Sequence, residues 1–214
     1  MPGSVAPTAP SARRIARFDA TERTLHWVHA LAFLVMLASG LVLYVPALTR
    51  LLPDRPLAKT IHLVTAVAWL AALALIALAG NRRTLARDRR EIERFDDDLR
   101  WLRGRPAPQG RFNAGQKAHA IVQAALAVLF TVSGALLWLG ERDTDLRLPG
   151  TIVLHDGAML VAVALVLGHL YLALVHRSTR PALRGMVRGD VDAGWAARHH
   201  PKWAAAETPG DDRV

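Results

Sequence analysis

Four stretches of this chain are too long, too apolar and too free of charge to be the core helices of a water-soluble domain. His26–Thr49, Thr60–Asn81 and Ala118–Gly140 contain no Asp, Glu, Lys or Arg, and Leu148–Val175 contains one acid, Asp156. A run of about 18 apolar residues or more, coiled as a helix, is long enough to cross the hydrocarbon of a bilayer, where every backbone polar group must be bonded internally. The sequence therefore predicts an all-α integral membrane protein built as a bundle of four transmembrane helices.

The polar segments between these stretches are strongly basic, and their placement decides what the net charge of +9 means. With the N-terminus inside, 22 Lys and Arg fall on the inner side: in the N-terminal segment, from Arg82 to Lys117, and from Arg177 onward. Five fall outside: Arg50, Arg55, Lys59, Arg142 and Arg147. Short cationic loops resist translocation, so this asymmetry predicts that both termini are cytoplasmic. Four spans sorting charge in this way argue against a nucleic-acid partner. The absence of cysteine excludes disulfides, thiolate iron–sulfur clusters and Cys-type zinc sites within the chain. Residues 1–24 have no apolar core of a cleavable signal, and the first apolar run is long enough to remain as an anchor.

Three regions follow. Residues 1–17 are rich in Pro, Ala and Ser and are expected to be disordered. Residues 18–176 form the transmembrane domain, interrupted by the charged loop 82–117. Residues 177–214 form a C-terminal tail. The first helix has Trp27 and Tyr44 placed as interface aromatics and ends at Pro46, and an outer loop containing Pro53 and Pro56 leads into the second. Within the charged loop, Thr84–Leu102 reads equally as an interfacial amphipathic helix or as a solvated loop. The third helix ends near Trp138, and Pro149–Gly150 begins the fourth. The tail carries Trp195 and Trp203 in a basic context, suited to docking on a partner or lying on the membrane. No internal repeat at a solenoid period is visible.

Of the nine histidines, four sort by depth. His26 lies at the inner end of the first helix and His169 at the inner end of the fourth. His62 lies at the outer end of the second and His155 toward the outer end of the fourth. Fourteen residues separate the two on the fourth helix, which places both on one face about 21 Å apart. Two b-type haems stacked along one helix require this arrangement. Neutral imidazole is a good iron ligand, and two per iron leave no open position for oxygen chemistry, so such sites carry electrons. A lone membrane histidine more often bonds a neighbouring helix or lines a polar cavity. Two depth-matched pairs are much harder to reach by coincidence. His29 competes with His26 from one turn deeper. His119 reaches the inner level, although a polar residue at the cytoplasmic mouth is the preferred reading. His176, His199 and His200 are expected to be solvated. Gly40 and Gly134 give backbone clearance for a flat macrocycle, or simply allow tight helix packing. A non-haem protein whose histidines bind metal or carry protons is the competing class, but no zinc-type His-Glu pattern is present.

The chain resembles the gamma, or cytochrome b, subunit of membrane-bound respiratory formate dehydrogenase from about Arg23 to Trp203. The resemblance rests on N-A-G-Q-K at Asn113–Lys117, G-M-V-R-G-D-V at Gly185–Val191, R-H-H-P-K-W at Arg198–Trp203, His26–Trp27, Ser39–Gly40 and the two histidines of the fourth helix. It implies that His26, His62, His155 and His169 are axial ligands of two haem b groups. It implies also that Asn113, Gly115 and Gln116 line a site for menaquinone or ubiquinone beside the inner haem. Read without the family, the same segment is first a polar helix cap, since Asn is a good N-cap residue. The family further implies partners, an iron–sulfur subunit and a molybdenum or tungsten catalytic subunit, and a bacterial inner membrane. The same module serving a hydrogenase or thiosulfate reductase is the nearest alternative. His29, His119, Asp156 and the long N-terminal segment depart from the family pattern. Asp156 follows a ligand position and suits an anchor-helix contact, a proton path or the headgroup layer.

Overall fold

The apolar stretches fold as four long helices in the computed structural model, which describes residues 13–50, 55–96 and 98–207. In chain order the elements are β1 (Arg14–Ala16), α1 (Ala20–Tyr44), α2 (Arg55–Ala79), α3 (Arg82–Glu93), α4 (Asp98–Leu102), α5 (Ala114–Gly140), α6 (Thr151–Leu170), α7 (Leu183–Arg188), β2 (Asp190–Asp192), α8 (Ala193–His199) and α9 (Pro201–Glu207). The long helices α1, α2, α5 and α6 (the last prolonged to Val175) are each long and apolar enough to span a membrane. Their outward side chains are the reverse of a soluble protein's: Val67, Leu78, Val128 and Val153 are each more than 60% exposed. Such a surface is stable only in lipid.

Local chemistry sets the helix ends. Asp19 caps α1 and Asn113 caps α5, each in a capping box whose N3 side chain, Glu22 or Gln116, bonds back to the cap residue's N–H. Asn81 caps α3 by accepting from the N–H groups of Arg83 and Thr84. Gly150, at φ 86°, makes the left-handed turn that starts α6. Immediately after α6, Tyr171–Val175 forms a π turn in which the His176 N–H donates to the Tyr171 carbonyl. α1 packs along α2 and α5 along α6, so the bundle is two helical hairpins facing each other. At the end away from the charged loop, Lys59 on α2 pairs with Glu141 after α5.

At the basic end the polar segments fold into a cap, and here the structure differs most from the sequence reading. Residues 1–12 and 208–214 lie outside the described residues, as does Pro53 of the outer loop. The last part of the segment expected to be disordered is instead strand β1, antiparallel to β2, with Ile15 opposite Val191. Trp195 and Trp203 are not surface aromatics awaiting a partner. With Ile15, Val191, Ala196 and Ala204 they form the hydrophobic core of the cap, 5% and 7% exposed. His200, expected to be solvated, is 1% exposed. Its Nδ1 faces the Gly110 carbonyl at 2.8 Å and its Nε2 faces Arg17 Nη2 at 3.0 Å, while the Arg17 guanidinium lies over the rings of Phe18, Trp195 and Trp203. The reason is spacing: a tryptophan on each of two short helices needs an apolar face opposite, and strand β1 together with the Arg17 stem supplies one.

Buried ion pairs tie the cap to the bundle. Arg111 bonds Glu22, Asp88 and the Arg17 carbonyl, and Lys117 pairs with Asp98 at 2.7 Å. Gly189, at φ 87°, lets its carbonyl accept from the N–H groups of both Arg17 and Phe18, and a Cβ there would meet the Phe18 carbonyl at 2.8 Å. Thr84–Leu102 holds most of α3, which begins at Arg82, and all of α4, with Arg94–Asp96 breaking the helical run.

Candidate functional site

The four depth-sorted histidines meet as two pairs. The ring centroids of His62 on α2 and His155 on α6 are 6.3 Å apart, and those of His26 on α1 and His169 on α6 are 6.2 Å apart. With a metal–imidazole bond of about 2.0–2.1 Å and the centroid about 1.1 Å behind the nitrogen, two imidazoles on opposite sides of one metal put their centroids about 6.3 Å apart. Both pairs stand at that spacing, and α6 contributes one histidine to each.

His29 belongs to neither pair. Its ring packs on Trp69 of α2 at 5.7 Å and on Phe33 at 5.9 Å. His119 lies flat against His169, centroids 5.2 Å apart and planes 8° from parallel, and its Nε2 is 3.4 Å from the Gln123 amide nitrogen. It flanks the His169 ring instead of facing it across a metal position.

Between the hairpins is a cavity of about 1260 Å³, walled by Phe33, Met36, Leu126, Phe130, Met159 and Ala162 and reached by His62 and His155. Gly40 and Gly134 sit beside those histidines: a Cβ on Gly40 would lie 3.5 Å from His62 Cε1, and one on Gly134 would lie 3.6 Å from His155 Cε1. Each glycine keeps the helix surface flat next to an imidazole. Trp69 is buried in the same wall, and its Nε1–H donates to no described residue. A largely apolar slot, paired imidazoles, flat glycine faces and one unspent donor fit a planar macrocycle with a central metal and a polar edge. Asp156 also lines the cavity.

Sequence reasoning noted Ser39–Gly40 only as part of the resemblance; it missed Ser133 and the contact each serine makes with a histidine. Ser39 Oγ is 3.0 Å from His62 Nδ1, and Ser133 Oγ is 2.8 Å from His155 Nδ1. Ser-Gly on α1 precedes its histidine on α2 by 23 residues, and Ser-Gly on α5 precedes its histidine on α6 by 22. This repeat is visible in the sequence once two Ser-Gly pairs are measured against the histidines instead of against each other.

The Asn113–Lys117 segment opens α5 at the basic end. The Asn113 Oδ1 accepts from the Gln116 N–H at 2.9 Å, and the Gln116 Oε1 accepts from the Asn113 N–H at 3.0 Å. Both side-chain oxygens thus serve the cap, while neither amide NH2 donates to a described residue. Gly115 lies under Trp101, 3.6 Å from its ring at the position a Cβ would take.

Comparison with known proteins agrees with this architecture. A family model described as prokaryotic cytochrome b561 matches residues 17–189. The chain is 28% identical over 203 residues to the formate dehydrogenase cytochrome b556(fdo) subunit of Escherichia coli (strain K12), covering 88% of this chain and 91% of that one. It is 27% identical over 210 residues to the formate dehydrogenase cytochrome b556 subunit of Haemophilus influenzae, covering 91% and 84%. The nitrate-inducible cytochrome b556(Fdn) subunit of E. coli (strain K12) is 22% identical over 200 residues, covering 89% and 90%. The resemblance read from the motifs therefore holds across most of the chain.

Proposed function

The chain belongs to the prokaryotic cytochrome b561 family, and from that premise we propose that it is the membrane-anchoring cytochrome b subunit of a respiratory formate dehydrogenase. The observation that carries the reading is the pair of imidazole pairs, both at the ring spacing of a bis-imidazole metal site and sharing α6. In this reading His26 with His169, and His62 with His155, would hold two b haems. Bound there, the haems supply one-electron carriage at two depths of the membrane. The residues do the rest. Two histidines at each site would leave a bound metal no open position, the apolar walls would exclude water, and Trp69 Nε1–H would be available to an acidic edge of the macrocycle.

The charge asymmetry supports a topology in which the basic cap faces the cytoplasm of a bacterium, across its inner membrane, and the His62–His155 end faces outward. The outward end is where an iron–sulfur subunit, itself served by a molybdenum or tungsten catalytic subunit, would deliver electrons. At the basic end, the free amide NH2 groups of Asn113 and Gln116 and the backbone at Gly115 bind a carbonyl of menaquinone or ubiquinone. That position is close to the inner histidines for electrons and to cytoplasmic water for protons, and reduction of a quinone to a quinol consumes both. The test is a pyridine haemochrome assay on the purified protein, with two b haems per chain expected. One haem, none, or a c-type spectrum would count against the assignment.

A further inference from the structure

Within the membrane a serine hydroxyl has one proton to donate, and at Ser39 and Ser133 the backbone takes it. Ser39 Oγ lies 2.8 Å from the Val35 carbonyl oxygen and 3.1 Å from that of Met36; Ser133 Oγ lies 2.6 Å from the Leu129 carbonyl oxygen. Two oxygens that close need a hydrogen between them, and a carbonyl has none. Each hydroxyl is therefore left with lone pairs for its second neighbour, the Nδ1 of His62 or of His155. The imidazole must donate, which makes it the Nδ1–H tautomer and leaves Nε2 as a lone-pair nitrogen turned away from the serine.

We propose that Ser39 and Ser133 are positioning residues that orient His62 and His155, fix their tautomer, and lower the reduction potential of the site between them. The inference rests on the di-haem reading above. A hydrogen bond accepted from Nδ1–H raises the electron density that the ring offers through Nε2, which favours the more oxidised metal. Both ligands of this site carry such a bond, each from a different hairpin, each followed by a glycine that keeps the approach flat. Among the described residues, neither His26 nor His169 makes a side-chain hydrogen bond. The serines thus set the outer site below the inner one in potential, the order that favours electron movement inward.

The experiment is an optical redox titration of the purified haem-loaded protein, comparing the native chain with Ser39→Ala, Ser133→Ala, the double alanine variant, and Ser39→Thr and Ser133→Thr. In the double alanine variant the outer haem's reduction equilibrium should shift toward the reduced form by about tenfold, which for one electron is about 59 mV. Each single alanine variant should shift it by a smaller factor, and the threonine variants should return to the native value. The inner haem should not move. If alanine variants lose the outer haem while threonine variants keep it, the orienting role is supported by occupancy instead of potential. Unchanged potentials in alanine variants that retain both haems would overturn the proposal, and so would an equal shift of both haems, which a general loosening of the bundle produces. Failure of the di-haem reading looks different, because the native protein would then contain fewer than two haems before any serine is changed.

Discussion

At the scale of single residues, the site is a matter of which imidazole faces which. If the paired histidines hold two haems, His62→Ala or His155→Ala should remove the one between them, halving the haem content, and leave the other bound. His26→Ala or His169→Ala should do the reverse, and haem quantification with low-temperature spectra separates the two. His29→Ala should retain both haems, because His29 packs on Trp69 and Phe33 and not across from His169. Loss of the inner haem from the His29 variant would reassign the α1 ligand. The pairing was legible in the sequence because depth in a membrane is a one-dimensional coordinate, and helical rise converts residue number into depth. The serines were not legible as partners. A serine in an apolar helix usually bonds its own backbone, and only the meeting of α1 with α2, and of α5 with α6, brings an imidazole to its free lone pairs.

At the scale of elements, the opening of α5 has two functions to reconcile. The capping box over Asn113 and Gln116 is present, so the bland reading of the segment is correct as far as it goes. It uses the side-chain oxygens and leaves the amide donors free, so a cap and a quinone site are compatible there. Asn113→Asp keeps the cap acceptor and loses the donor, and Asn113→Leu loses both. If the amide bonds a quinone carbonyl, both variants should weaken binding of a quinone-site inhibitor by roughly ten- to a hundredfold, the cost of leaving a buried polar group unpaired. Only the leucine variant should also lose about 1 kcal/mol of stability through the cap. Inhibitor affinity and melting temperature, measured on the same samples, separate these outcomes; unchanged affinity in both would leave Asn113 as a cap alone. The four spans were legible because apolar length is a sequence property. The helical part of the charged loop was half legible: α3 has the right periodicity, but what holds it is Asp19 accepting from Thr84 and Asn81, a contact made across more than sixty residues.

At the scale of the whole molecule, the cap is the part the sequence hid. Its strands are three residues each, too short to read as strands, and its aromatics are scattered through basic text. Pairing β1 with β2 gives them a common core. One buried histidine makes this closure pH-dependent. Burial, and then the neighbouring Arg17 guanidinium, push the His200 imidazole down to about 3. In an unfolded tail it would titrate at about 6.5, so above that pH both states are neutral and the contribution of His200 is fully present. As pH falls from about 6.5 toward 3, the unfolded tail takes up the proton first and the cap loses stability. Limited proteolysis of the tail should therefore accelerate across that window in the native protein, and a His200→Gln variant, which keeps a donor and an acceptor, should flatten the profile; identical profiles would contradict the assignment. The β1–β2 pairing also bears on biogenesis. A ribosome makes Arg14–Ala16 long before Asp190–Asp192, and all four spans are delivered to the bilayer in between. The first strand must wait, unpaired, for the last to be translated. Closure of the cap is thus a post-insertion event, and a nascent chain arrested before Asp190 would have its four spans but an unclosed basic end.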